Sequence, residues 1–308
     1  MARYAAEVWT DHAVLAQDAR DIVELAVGFL EKELTFQRWA RLYQADISWD
    51  HDPGPPRGSR LYYACFAGLL VPAQDLISNG EDVNAQGGFY GNALQAASFE
   101  GDLEIFKILV DKGADVNAQG GFYGNALQAA SYNGHLEIVK ILVDKGADVN
   151  AQGGKYGNAL QAALFEGDLE IGGFFRNALY AASSEGHLEI VKILVDKGAD
   201  VNAQGGEYGN ALYAASFEGH LEIVKALVDK GADVNAQGGF YGNALQAASF
   251  EGDLEIVKVL VDKGADVNAQ GGFYGNALYA ASSEGHLEII KLLVDKGADM
   301  NAQGGFST

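Results

Sequence analysis

"NALQAASFEGDLEIFKILVDKGADVN" (Asn92–Asn117) decides the fold. Asn92 is a good helix N-cap, and Gln95 stands three residues on, the spacing of a reciprocal capping box. Ala93, Leu94, Ala96 and Ala97 then make a thin helix that neighbours approach closely. Gly101 ends it, since glycine tolerates the left-handed conformation that closes many helices. Asp102 opens a second helix, whose Leu103, Ile105, Phe106, Leu109 and Val110 form a wide apolar face before Gly113 stops it. "ADVNAQGGFYG" (Ala114–Gly124) follows, with a Gly-Gly pair that signals a tight turn and an extended finger. A lone copy of this segment has nothing against which to bury its second helix, so copies must stack.

The chain supplies those copies. "GNALQAAS" begins at Gly91, Gly124 and Gly242, "GNALQAAL" at Gly157, and "GNALYAAS" at Gly209 and Gly275, with neighbouring intact copies 33 residues apart. That period and this helix–turn–helix content are those of ankyrin repeats. "GHLEIVKILVDKGADVN" (Gly134–Asn150) resembles the second half of that family's unit almost letter for letter. The first half departs from it: Asn92, Ala93 and Gln95 stand where the family has Thr, Pro and His. The Asn/Gln box is expected to replace the Thr/His bond. Where Tyr180, Tyr213 and Tyr279 replace the Gln, the reciprocal cap is lost and a ring is offered.

The resemblance implies an all-α ankyrin-repeat solenoid, helix–turn–helix units with β-hairpin fingers. Eight repeats are expected over 59–308, beginning at Ser59, Asn92, Asn125, Asn158, Asn177, Asn210, Asn243 and Asn276. The first (59–91) is degenerate: Leu69, Leu70, Val71 and Pro72 break the polar/apolar pattern, as suits a repeat packed against something else. The fourth (158–176) is truncated. Asn158 and Asn177 lie 19 residues apart instead of 33, and Ile171 runs straight into Gly172. The solenoid is therefore expected in two blocks meeting at residues 168–176.

Residues 1–50 differ in composition and hold all three tryptophans, Trp9, Trp39 and Trp49. They read as a helical cap on the solenoid, with Ile22, Leu25, Ala26 and Phe29 on one helix face. The Pro/Gly stretch 51–58 is the linker. "YAAEVWTDHA", "RWARLYQAD" and "GSRLYYACFAG", leading into "NAQGG" and "YGNALQAAS", also resemble the C-terminal half of fungal NACHT-type, NOD-like STAND proteins. In those proteins the repeats follow an NTPase and sense a ligand. No G-x-x-x-x-G-K-[ST] occurs here, so no nucleotide switch carries over.

Charge narrows the partners. The 308 residues carry a net charge of −21, which repels phosphate backbones and excludes nucleic acid. A basic or neutral protein or peptide fits better. No apolar run approaches the ~20 residues of a membrane helix. Cys65 is the only cysteine, so no intrachain disulfide can form and a reducing, cytoplasmic setting is expected. "MARYAAEVWTDHA" (1–13) lacks the basic and apolar regions of a secretory signal.

Chemistry is expected to be absent: no enzyme, no cofactor and no metal. The Gly-Gly fingers lack the flanking strand, long helix and lysine of a phosphate loop. Asp111, Asp115 and Asn117 miss calcium-loop spacing, and Asp115 and Asn117 are read as making loop hydrogen bonds. Asp50-His51-Asp52 is a lone acidic loop cluster. His135, His187, His220 and His286 interchange with Asp102, Asp168 and Asp253 at one position, as helix caps would and ligands would not.

Aromatic residues are the functional lead. Finger tips carry Phe89-Tyr90, Phe122-Tyr123, Tyr156, Tyr208, Phe240-Tyr241 and Phe273-Tyr274. Phe99, Tyr132, Phe165, Phe217 and Phe250 recur near the end of the first helix. The family resemblance places both sets on the concave face, and aromatics are typical interface anchors. The candidate protein-binding residues are Phe89, Tyr90, Phe99, Phe122, Tyr123, Tyr132, Tyr156, Tyr180, Tyr208, Tyr213, Phe240, Tyr241, Phe273, Tyr274 and Tyr279. Within them the finger Tyr is expected to be more often structural and the preceding Phe more often free, because Lys155 and Glu207 replace that Phe in two copies. A rival reading is a self-assembling scaffold. The last repeat keeps the internal pattern at Ile290, Leu292, Leu293 and Val294, without the polar outer face that usually closes a solenoid.

Overall fold

The computed structural model describes residues 20–40, 57–153, 177–206, 209–302 and 304–305. The linker up to residue 56, Asp50-His51-Asp52, Tyr156, Tyr208, the truncated repeat 158–176 and the expected block junction at 168–176 lie outside them. The chain divides into two compact bodies, Met1–Asp148 with Gly153–Glu166, and Val149–Gln152 with Gly167–Thr308.

Each described repeat is a helix pair followed by a finger. Asn92 sits in extended geometry (φ −160°, ψ 176°), and its Oδ1 accepts the Gln95 backbone N–H at 2.9 Å. Asn125, Asn177, Asn210, Asn243 and Asn276 cap their helices in the same way. The first helices are rich in small side chains, and Ala93, Ala96 and Ala97 are buried. In the first body Ala93–Glu100 therefore packs between Arg60–Phe66 and Ala126–Tyr132. In the second, Ala178–Ser184, Ala211–Phe217, Ala244–Glu251 and Ala277–Glu284 stack in chain order. The described second helices between the first and last repeats bury triplets such as Ile105, Phe106 and Leu109, worth about 1.5–3 kcal/mol per side chain against leaving it in water, and the last buries Ile289 and Leu293. Gly101 closes its helix in the left-handed region (φ 80°, ψ 16°).

A ladder of asparagines runs through the described repeats of each body. Asn117 Nδ2 donates to the Gly146 carbonyl at 3.1 Å, while its Oδ1 accepts the Asp148 N–H at 2.8 Å. Asp115 in turn accepts the Asn117 N–H at 2.9 Å. These are the loop hydrogen bonds expected from the sequence. Asn84 does the same in the first body, and Asn202, Asn235 and Asn268 in the second. In the second body Asn150 also makes this rung, to Gly198 and Asp200, at 3.1 and 2.8 Å. It reaches across 48 and 50 residues where the other rungs reach across 29 and 31.

The fingers are narrow. Gln204–Gly206 pairs antiparallel with Gly209–Asn210, and single bridges join Gly120 to Gly124 and Gly271 to Gly275. Glycine is required where fingers stack. Gly121 has φ +67°, and a Cβ there would lie 2.0 Å from the Tyr90 carbonyl oxygen.

At the N-terminal side, Arg20–Glu31 packs on Leu70–Ser78 and Arg60–Phe66. Ala26, Leu30, Phe36 and Trp39 are buried there, with the Trp39 and Tyr63 rings edge to face at 5.3 Å. Leu69 and Pro72 of the degenerate repeat are buried too, which accounts for its broken pattern. Leu25 departs from the sequence expectation. It points to solvent, because the buried stripe runs through Ala26 and Leu30, one step round the helix.

Candidate functional site

Two ladders of aromatic rings build the surface formed by the fingers and the ends of the first helices. In the inner ladder, finger tyrosines pack with first-helix phenylalanines. Phe99 packs beside both Tyr90 and Tyr123, at centroid distances of 4.3 and 5.3 Å, with interplanar angles of 28° and 30°. The second body repeats this cluster, with Phe250 packed beside both Tyr241 and Tyr274, at 4.5 and 5.2 Å. Equivalent tyrosines are parallel: Tyr90 to Tyr123 is 6.2 Å at 2°, and Tyr241 to Tyr274 is 5.9 Å at 0°. Tyr132 adds to the first-body ladder, 5.1 Å from Tyr123. Offset stacking of this kind adds about 0.5–1.5 kcal/mol per pair beyond area burial.

The outer ladder is made by the finger phenylalanines. Phe89 stacks on Phe122 at 4.8 Å, and Phe240 on Phe273 at 4.7 Å. The Phe122 N–H donates to the Phe89 carbonyl, and the Phe273 N–H to that of Phe240, both at 2.9 Å. Phe240 is 50% exposed and Phe273 38%. The finger tyrosines are less accessible: Tyr90 and Tyr123 are buried, and Tyr241 and Tyr274 half-buried. Phe99 is half-buried in the inner ladder.

Tyr180 and Tyr213 present almost no ring to a partner. Tyr213 is 3% exposed, and its hydroxyl accepts the Tyr241 N–H of the following finger at 3.2 Å. Tyr279 lies open, 42% exposed. The glutamines at the equivalent position do the same work by other atoms. Gln95 Nε2 donates to the Ala118 carbonyl of the next finger at 3.0 Å, and Gln246 Nε2 to those of Ala269, Gly271 and Gly275 at 3.1–3.2 Å. The expected return half of the capping box is thus replaced. An unmet carbonyl under a stacked finger is costly, and the amide satisfies it. Tyr62 was missed by sequence reasoning, yet its hydroxyl accepts the Tyr90 N–H at 3.3 Å. Aligning Ser59 with Asn92 places Tyr62 on Gln95, which is the signal that finds it.

The recurring His/Asp position also differs from expectation. His135, His220, His286, Asp102 and Asp253 occupy N-cap positions, but none makes a side-chain capping bond. His135 Nε2 instead meets the Phe99 carbonyl at 2.8 Å, and His220 that of Ser184 at 2.9 Å. A carbonyl only accepts, so Nε2 carries the proton in both. These histidines staple one repeat to the one before.

Acidic groups border the inner ladder. Burial, then the neighbouring Asp102, push Glu100 up to about 7. Burial first, then the like charges of Asp253, Glu218 and Glu284, raise Glu251 against the opposing pull of His286. Glu251 and Glu284 in turn help raise Tyr241, after burial. Among the described residues no group of His, Cys, Asp and Glu is arranged to hold a metal ion. No helix among them is long and apolar enough to cross a membrane.

Comparison with known proteins agrees with this architecture. The family "Ankyrin repeats" matches residues 61–153, 152–238 and 236–304, most of the chain. An azaphilone pigments biosynthesis cluster protein L of Monascus ruber is 42% identical over 112 residues, 31% of this chain. The chain spans only 24% of that relative's length. The crystal structure of the human ASB11 ankyrin repeat domain superposes with a TM-score of 0.62 at 23% identity, over 78% of this chain and 99% of that domain. At that identity the likeness concerns the fold.

Proposed function

We propose, from the premise that this chain belongs to the ankyrin-repeat family, that it is a non-enzymatic module binding a protein or peptide through its finger tips and inner ring ladder. The observation that carries the reading is the exposure of Phe240 and Phe273, stacked at the tips of adjacent fingers. Single exposed apolar residues are ordinary, but an exposed stacked pair is a preformed anchor with little rotamer freedom left to lose on binding. The net charge of −21 favours a basic or neutral partner. The test is affinity capture from the source cell, with the full chain beside a Phe89→Ala, Phe122→Ala, Phe240→Ala, Phe273→Ala variant of unchanged circular dichroism. Partners lost with the variant support the reading, and identical capture by both proteins sinks it.

The sequence resemblance to fungal NOD-like proteins extends the reading to the ligand-sensing part of such a receptor, acting in the cytoplasm. Its test is the full transcript in the source organism, which should continue in frame into an NTPase with a G-x-x-x-x-G-K-[ST] loop.

A second reading, self-association through the last repeat, is favoured by the exposure of Leu287, Met300 and Tyr279 together. Ile290, Leu292 and Val294, which first suggested it, are only half-buried, and Leu293 is buried. A monodisperse monomer by light scattering would rule this second reading out.

A further inference from the structure

We propose that the second body binds an extended polypeptide segment with lysine or arginine at every second position, laid along the Tyr241–Phe250–Tyr274 ladder with its cations facing Glu218, Glu251 and Glu284. The proposal rests on the protein-binding reading above and narrows it to one partner chemistry.

Spacing is the first argument. Equivalent ladder tyrosines of the second body are parallel and 5.9 Å apart. An extended chain advances about 3.2–3.4 Å per residue, less when twisted, and puts every second side chain on one face. Its same-face side chains therefore recur at about 6.5 Å, close to one per repeat. A straight helix fits less well. Its i, i+4 row turns about 40° round the axis at each step, so it leaves the floor after two or three repeats.

Charge is the second argument. Glu185, Glu218, Glu251 and Glu284 recur every 33 residues of the sequence. Glu251 is close enough to Glu218 and Glu284 to feel both as like charges, and Tyr241 feels Glu251 and Glu284. Glu218, Glu251 and Glu284 stand at the ends of stacked first helices, so the carboxylates recur in order beside the rings. Among the described residues no lysine or arginine bridges to them. The lysines that form ion pairs in this body do so with acids of the second helices, Lys192 with Glu189, Lys225 with Glu222 and Lys258 with Glu255. Lys230, Lys263 and Lys296 are likewise paired, with Asp196, Asp229 and Asp262. His220 and His286 bond to the carbonyls of Ser184 and Phe250. Like-charged carboxylates around Glu251, opposed there only by His286, are relieved by cations arriving alongside them.

The rings set how the cations are held. Phe250, Tyr241 and Tyr274 are packed against one another, so the proposal does not rely on cation–π contact. The ladder instead offers an apolar floor for the methylene stems of Lys or Arg, whose charged ends reach the flanking carboxylates.

The experiment uses the purified full chain and three fluorescent peptides with the same number of lysines among threonines. In one the lysines fall at every second position, in another at every fourth, and in the last in a single block. Fluorescence polarisation is expected to show the alternating peptide binding about tenfold more tightly than the other two, with affinity falling as salt rises. A Glu218→Gln, Glu251→Gln, Glu284→Gln variant of unchanged circular dichroism should lose about tenfold. Equal affinity for the three peptides, no binding of the alternating one, or full affinity in the glutamine variant would overturn the proposal. The phenylalanine variant in the capture experiment judges the broader reading separately. Partners lost with that variant, beside peptides that do not discriminate, would leave protein binding standing and remove only this inference.

Discussion

His286 Nε2 lies 2.9 Å from the carbonyl oxygen of Phe250, 36 residues earlier and one repeat away. The contact joins the start of one second helix to the end of the preceding first helix. Beneath it, a Cβ on Gly252 would lie 2.5 Å from the imidazole, so the glycine makes room for the ring. Replacing His286 by Ala should cost about 1 kcal/mol, the net worth of one such bond. Urea denaturation of the two proteins, followed at the C-terminal repeats by hydrogen exchange, measures it. No loss of protection at Ala281–Leu293 would show that the bond contributes nothing.

Glu100 gives the fold a pH dependence of definite sign. Its pKa rises from an ordinary 4.5 to about 7, through burial and then Asp102. Between those values the folded chain holds a proton that the unfolded chain has released, so this group's contribution to stability falls as pH rises from 4.5 to 7. Glu100→Gln should therefore raise the melting temperature, most strongly above pH 7, with the gain fading toward pH 4.5. A pH series of thermal melts checks this, and a gain that grows on acidification would refute it.

Cys65 should be inert while the chain is folded. It is fully buried, and burial, then Asp102, holds its thiol well above the ordinary range. Only the thiolate attacks alkylating or disulfide reagents. Maleimide labelling should be negligible in buffer and complete in denaturant. Rapid labelling of the native chain would contradict the packing described around Tyr62–Phe66.

Gly121→Ala should cost about 1–3 kcal/mol, the range for a residue forced into a sparsely populated backbone region. The position combines φ +67° with a backbone carbonyl 2.0 Å from the new Cβ. Gly113→Ala also meets a positive φ, but nothing lies within 4 Å of its Cβ. Thermal melts of both variants separate the clash from the backbone term, with Gly121→Ala expected to be the worse. Equal losses would mean that finger stacking does not depend on that close approach.

Most of the fold was legible in the sequence because its determinants are local. Asn92 caps the helix that follows it, Gly101 closes that helix, and Ile105, Phe106 and Leu109 share one face. The site was less legible because its partners lie in other repeats. Gln95 at the third helical position suits a capping box, and only a neighbouring finger reveals carbonyls in greater need of its amide. His135 at an N-cap position looked like a cap for the same reason, while its partner is Phe99, 36 residues back. The family resemblance puts Phe99 on the concave face with the finger rings. Its place beside Tyr90 and Tyr123 follows from stacking, which no single repeat encodes.

Asn150 bears on how such an array changes its length. Nineteen more residues separate it from its rung partners than separate Asn202 from Gly231 and Asp233, yet the bonds keep their lengths to within 0.2 Å. What the repeat spacing shows as a fourteen-residue loss is, in hydrogen-bond register, a nineteen-residue gain. Excising Lys155–Gly173 would join "NAQGG" to "FFRNALYAAS" and return Asn177 to the place that Asn210 holds after Asn202. Such a shortened chain should fold and melt no lower than its parent. Register in the second body is then kept by the asparagine rungs and not by the count of residues between them.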